Sequence, residues 1–274
     1  MPVSRSCGTW ASVRRSFLTP ALWVPAGLAI ALLGLPLIAL VVRAPWTQLP
    51  ELLSRTEVLQ ALGLSLGTAA VATGLSLVLG IPLALVLARS AEWPAVPRRL
   101  LRALVTVPLV LPPVVGGVAL LLLLGRRGLI GQFLPFQIPF STSAVVIAQV
   151  FVAMPFLVLA VEGAVRASDR RFEAAAATLG ATRLTILRRV TLPLVAPGVG
   201  AGALLCFTRA LGEFGATITF AGSFPGVTQT LPIATYLELQ RDPDAAIALS
   251  LTLMLVSVLV LVGLRDRWVP GLTS

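Results

Sequence analysis

Apolar residues gather in long runs at about 21–42, 58–88, 100–124, 142–165, 195–221 and 245–264, and polar residues collect in the gaps between them. A run of about 20 apolar residues, wound as a helix, matches the hydrocarbon core of a bilayer. Lipid offers nothing to unpaired backbone groups, so the runs predict helices. The alternating polarity of a transmembrane barrel is absent from the sequence. The pattern predicts an all-α integral membrane protein with six transmembrane helices. Its single transmembrane domain covers 21–264 and is flanked by tails at 1–20 and 265–274. The second run is long enough to tilt or kink, with Gly80 and Pro82 as the disturbance. In the third, Pro108, Pro112 and Pro113 predict a kinked or unwound helix.

The first run follows Arg5, Arg14 and Arg15, as the apolar region of a signal peptide would. It is too long for that role and lacks a small-residue cleavage site after it, so it reads as an uncleaved first transmembrane helix. Arginine placement sets the orientation. One side collects Arg5, Arg14, Arg15, Arg89, Arg98, Arg99, Arg102, Arg265 and Arg267, together with the cluster Arg166, Arg170, Arg171, Arg183, Arg188 and Arg189. The other side has only Arg43, Arg55, Arg126, Arg127 and Arg241. The excess places both termini and the 166–193 gap in the cytoplasm. Segment 125–141, with Phe133, Phe136 and Phe140, reads as lying in the outer interface, and 222–244 reads as a polar loop. No gap is long enough for a soluble domain.

Composition narrows the function classes. The chain is 57% hydrophobic and 12% charged, against about 25% charged in soluble domains. Its net charge is +10, with all 21 basic residues arginine. These arginines sit in the gaps, where orientation signals belong, which argues against nucleic acid as a partner. Histidine is absent, and Cys7 and Cys206 form no metal-ligand pattern, so no metal is expected. No nucleophile–base pair stands out, so no catalytic residue is expected and the chain does not read as an enzyme. GxxxxGK[ST] and GxGxxG are both missing, so any coupling to ATP must come from a partner.

The segment Glu173–Pro193 (EAAAATLGATRLTILRRVTLP) interrupts the apolar pattern. Each arginine at membrane depth costs about 3 kcal/mol, so this segment stays outside the lipid. It predicts a short helical hairpin: a helix from about Arg170, a break at Gly180 and a second helix over Thr182–Val190. Two readings of it stand. Its apolar face (Leu184, Ile186, Leu187, Val190) docks into a groove on a partner, or the hairpin rests on its own protein. The fifth run carries Arg209 and Glu213, four apart and so on one helical face. Intramembrane charges face a bundle interior or a watery path, so the pair belongs to a pathway or is a structural ion pair. Gly212 and Gly215 make room for a neighbouring backbone, and Thr217 and Thr219 supply uncharged hydroxyls.

The order Glu173-Ala174-Ala175, Gly180-Ala181, Leu192-Pro193 resembles the EAA loop of bacterial ABC importer permeases. LGEFGATITF, beginning at Leu211, and VPLVLPPVVGGVALL over Val107–Leu121 are similar to the oxyanion group of that family, molybdate permeases above all. The resemblance implies a type I ABC importer permease fold. It implies that the loop at about 166–193 couples to the ATPase, through Glu173, Ala174, Ala175, Gly180, Ala181, Leu192 and Pro193. Arg209, Glu213, Gly215, Thr217 and Thr219 would serve the translocation pathway or gate. The partners implied are a second copy of the chain, ABC ATPase subunits that carry ATP and Mg, and an extracytoplasmic molybdate-binding protein. This chain would bind no cofactor. The expected function is ATP-driven import of molybdate or tungstate across the bacterial cytoplasmic membrane by alternating access. The alternatives are a sulfate/thiosulfate ABC permease or a stand-alone secondary anion transporter.

Overall fold

The computed structural model describes residues 20–268. The N-terminal tail with Arg5, Cys7, Arg14 and Arg15, and the C-terminal tail beyond Trp268, lie outside the described residues. The chain divides into two units, one ending at Ala44 and one starting at Pro45. The first contains helix α1 (Pro20–Val42), apolar all round and with Pro25 and Pro36 inside it.

The second unit holds α2 (Leu49–Ser54), α3 (Thr56–Arg89), α4 (Ala95–Val110), α5 (Pro113–Leu124) and α6 (Thr142–Ala167). It continues with α7 (Arg171–Thr178), α8 (Arg183–Ile186), α9 (Leu192–Leu211), α10 (Gly215–Ala221), α11 (Leu231–Glu238) and α12 (Pro243–Trp268). Among the described residues, five helical segments are long and apolar enough to cross a membrane, and α4 with α5 makes a sixth where that bent pair is counted as one span. Counted so, the segments match the six apolar runs of the sequence.

α6 is the centre of the second unit, with α3 and α9 packed against it. Their shared core joins Ala72, Ala84 and Leu87 of α3, Leu157, Val158 and Val161 of α6, and Cys206, Ala210 and Leu211 of α9. Small residues bring the axes close, as is usual in lipid, where apolar burial alone does not drive helices together. A Cβ on Gly80 would stand 3.1 Å from Leu157 Cδ2, and one on Gly202 would stand 3.1 Å from Ala160 Cβ. A Cβ on Gly198 would likewise run into Ala164 Cβ, whereas nothing meets one placed at Gly63 or Gly67. A second core joins Leu120 of α5, Ala148 and Val152 of α6, and Ala216 and Phe220 of α10.

The expected helices differ from the observed ones at four places, each for a local reason. The run 100–124 is not one kinked helix: α4 and α5 meet at 117°. Pro112 pushes Leu111 into extended backbone (ψ 133°), and Pro113 then starts a new helix at a position that needs no N–H. Pro108 stays inside α4, and Pro82 stays inside an unbroken α3. The run 195–221 splits into α9 and α10 around Gly212–Phe214. The expected polar loop 222–244 contains α11, started by Pro232 in its first turn. Finally, the second hairpin helix does not end at Val190. After α8 the chain widens into a π turn (Leu187–Thr191) and runs directly into α9.

Candidate functional site

Two places in the fold carry the polar chemistry. The first is the hairpin between α6 and α9. Asp169 Oδ1 accepts from the Arg171 backbone N–H at 2.9 Å, which satisfies a free donor at the start of α7. α7 ends in a Schellman motif: Gly180 N–H donates to Ala177 O at 3.0 Å and Ala181 N–H to Ala176 O at 3.1 Å. The motif needs a left-handed residue, and Gly180 supplies it at φ +80°. Two residues later Thr182 caps α8, its hydroxyl accepting from Thr185 N–H at 3.3 Å. The hairpin and the break at Gly180 are thus where the sequence puts them.

The sequence did not reveal what the hairpin exposes. No residue of α7 is buried. Leu179, at the tip, is 88% exposed, with Phe172 and Leu184 also exposed. Ile186, Leu187 and Val190, which the sequence assigned to a docking face with Leu184, are half-buried instead. Ala174 and Ala175 lie exposed on α7, while Leu192 and Pro193 open α9. Glu173 turns back toward its own chain. Its Oε1 accepts from Thr191 Oγ1 at 2.6 Å and lies 3.5 Å from Arg89 Nη2, at the end of α3.

Behind the hairpin is a carboxylate that sequence reading left aside. Glu162 of α6, with its side chain 5% exposed, is gripped by Arg102 of α4 and by Arg166 at 2.8 Å. The Arg166 contact is a helical i, i+4 spacing and is legible in the sequence. The Arg102 contact crosses from another span, with no local signal.

The second place is the break at Gly212–Phe214. Arg209 is in the last turn of α9, and Glu213 comes after that helix has ended. The two therefore do not share the helical face that their spacing predicts, yet the expected pairing is present: Arg209 Nη1 and Glu213 Oε2 form an ion pair at 2.6 Å. The other oxygen, Oε1, accepts from Ala216 N–H at 2.9 Å and so caps α10. The Glu213 side chain is 1% exposed. A buried carboxylate requires such partners, because desolvating an unpaired charge is expensive.

Gly215 faces the start of α5, where a Cβ would come 2.9 Å from Pro113 Cβ. A Cβ on Gly117 would come 2.8 Å from the Ala216 carbonyl. The two broken spans thus press their short second halves together, backbone against backbone. Gly212 makes no such approach, since a Cβ there would meet only Thr208 O of its own turn, at 3.6 Å. Thr219 spends its proton on the Gly215 carbonyl at 2.8 Å. The buried Thr217 hydroxyl has no partner among the described residues, nor has Gln149 Oε1 on α6. Gln149 is a mid-span polar residue that the sequence reading passed over. Its one signal was an amide inside an apolar run.

Residues 80–270 match the family model described as the binding-protein-dependent transport system inner membrane component. The chain belongs to that family. Among similar proteins, the molybdenum transport system permease protein ModB of Mycobacterium tuberculosis (strain ATCC 25618 / H37Rv) is 51% identical over 248 residues, 89% of this chain and 93% of that protein. The sulfate transport system permease protein CysT of Salmonella typhimurium (strain LT2) is 36% identical over 215 residues, 76% of each chain. Among solved structures, a chain of a bacterial ABC transporter involved in the import of the acidic polysaccharide alginate superimposes with a TM-score of 0.69. It is 16% identical, and the match covers 93% of this chain and 95% of that one, so it shows a shared fold. This inner membrane component accordingly has the expected ABC importer permease fold.

Proposed function

We propose that this chain is the membrane subunit of an ATP-driven importer of molybdate or tungstate. The observation that carries the reading is the 51% identity to a molybdenum permease over nearly the whole of both proteins. In this reading two copies form the pathway, which lies on the two-fold axis between them. Two ABC ATPase subunits hold ATP and Mg, and an extracytoplasmic molybdate-binding protein delivers the anion. The arginine-rich end faces the cytoplasm with both termini, in keeping with the positive-inside rule.

The 166–193 hairpin is the coupling loop. Its tip presents Leu179 and Leu184, an apolar knob suited to a cleft on the ATPase. Closure of the ATPases draws two hairpins together and alternates access to the pathway. The hairpin must then bind the two ATPase states unequally, since equal affinity would shift nothing. Along the path, Glu213 neutralises Arg209 and fills the start of α10, so the anion meets no free positive charge there. That suits passage, because a tight anion site would hold its cargo.

The likeness to a sulfate permease supports a second reading, sulfate or thiosulfate import by the same machinery. Reconstitution of the full complex with its binding protein in vesicles separates the two. Molybdate and tungstate are expected to stimulate ATP hydrolysis and to be imported. Stimulation by sulfate alone establishes the second reading, and uptake that proceeds without ATP removes both.

A further inference from the structure

We infer that Glu173 is a positioning residue that works inside its own chain, tying the hairpin to the roots of α3 and α9, and is not a contact to the ATPase. This rests on the coupling role proposed for the hairpin. A docking residue presents its polar atoms outward. Glu173 does the opposite: its side chain is 29% exposed, and Oε1 is committed to Thr191 and Arg89. Thr191, 1% exposed, closes the π turn from which α9 begins.

The reason for such a tie lies in how α7 is held. It buries no residue, so it has no apolar anchor. At one end the chain reaches it through extended backbone at Ser168 (ψ 142°), and at the other it leaves through Gly180. Both are natural hinges. A hairpin hinged at both ends of α7 would absorb a push from the ATPase instead of passing it on. The Glu173 carboxylate closes the triangle by joining the first turn of α7 to the foot of α9. The Thr191 contact is the stronger bond, being short, charge-assisted and buried on one side. The Arg89 contact is longer and more exposed, and adds less. A second pair at 3.8 Å, Glu92 with Arg170, bridges the same two regions. A cavity of about 200 Å³, lined by Arg89, Glu92, Val165, Ser168, Arg170 and Glu173, lies within this joint.

The test uses the full complex with its ATPase subunits and binding protein, reconstituted in vesicles. Three variants are compared: Glu173→Ala, Thr191→Val and Leu179→Asp. Alanine keeps α7 helical, since the next four residues are already alanine. Two quantities are read, the ATPase retained on the tagged membrane chain and the molybdate imported per ATP hydrolysed. Glu173→Ala and Thr191→Val are both expected to retain the ATPase and to lower import per ATP by about tenfold, the scale of one charge-assisted hydrogen bond. The double variant is expected to be no worse than either single one. Thr191→Ser, which keeps the hydroxyl, is expected to restore coupling. Leu179→Asp is expected to shed the ATPase. Loss of the ATPase from Glu173→Ala makes Glu173 a docking contact and overturns the inference. Undiminished import per ATP in Thr191→Val overturns it as well. If Leu179→Asp keeps both the ATPase and import, the coupling role of the hairpin itself fails, whatever Glu173 does.

Discussion

Arg209 Nη1 lies 2.6 Å from Glu213 Oε2 across the gap where α9 has ended and α10 has not begun. The pair bolts a broken span together and at the same time cancels a charge on the proposed path. The two roles separate in a mutant cycle. Arg209→Ala strands a buried carboxylate and is expected to cost about 3–5 kcal/mol, seen as a lowered thermal midpoint in detergent. Adding Glu213→Gln removes the charge and leaves a carbonyl to accept from Ala216 N–H. The double variant is expected to regain most of the stability. Molybdate import is expected to stay impaired, and its full return with stability would make the pair purely structural.

Gly180 has open space around it, with nothing within 4 Å of an added Cβ, so substitution there acts through backbone alone. Gly180→Asn, which tolerates the left-handed region, is expected to keep the ATPase on the complex. Gly180→Val is expected to cost about 1–2 kcal/mol locally and to lose the ATPase, with the thermal midpoint of the membrane domain unchanged. Copurification measures the difference.

Glu162 has two cations where one would do. Removing either Arg102 or Arg166, both half-exposed, is expected to cost less than about 1 kcal/mol. Removing both leaves the buried carboxylate bare and is expected to cost about 3–5 kcal/mol. The excess over the sum, read from unfolding midpoints, measures the shared partner.

Gly202 and Gly63 make a contrast. Gly202→Ile drives side-chain atoms into Leu157 and Ala160 and is expected to destabilise by about 1–3 kcal/mol. A Cβ at Gly63 has nothing within 4 Å, and Gly63→Ala is expected not to lower the unfolding midpoint of the detergent-solubilised chain.

What could be seen in advance was whatever depends on neighbours in sequence. The six spans follow from the length of the apolar runs. The hairpin follows from Gly180 and the arginines around it, and its cap follows from Thr182. The prolines at 112 and 113 marked a disturbance, but not a turn of 117°, because the angle is set by what α5 packs on. The break at Gly212 was invisible for a similar reason. It lies within a run whose length reads as one span, and the approach of Gly215 to Pro113 and the capping by Glu213 that accompany it join residues no local pattern reports. Arg102 with Glu162, and Glu173 with Thr191 and Arg89, join residues far apart along the chain. No period or spacing reports such pairs.

The wide turn at Leu187–Thr191 has one residue more than a regular helix would use over the same distance. Deleting a single residue there would let the turn tighten into regular helix and leave its two flanks in place. Deleting one from the regular helix of α9 just after it has no such slack, and everything upstream would swivel by about 100° relative to the rest of α9. Leu179 would then aim at a different bearing, with every side chain of the hairpin intact. The wide turn is thus the one stretch at this junction that can lose a residue and still keep the hairpin on its compass heading.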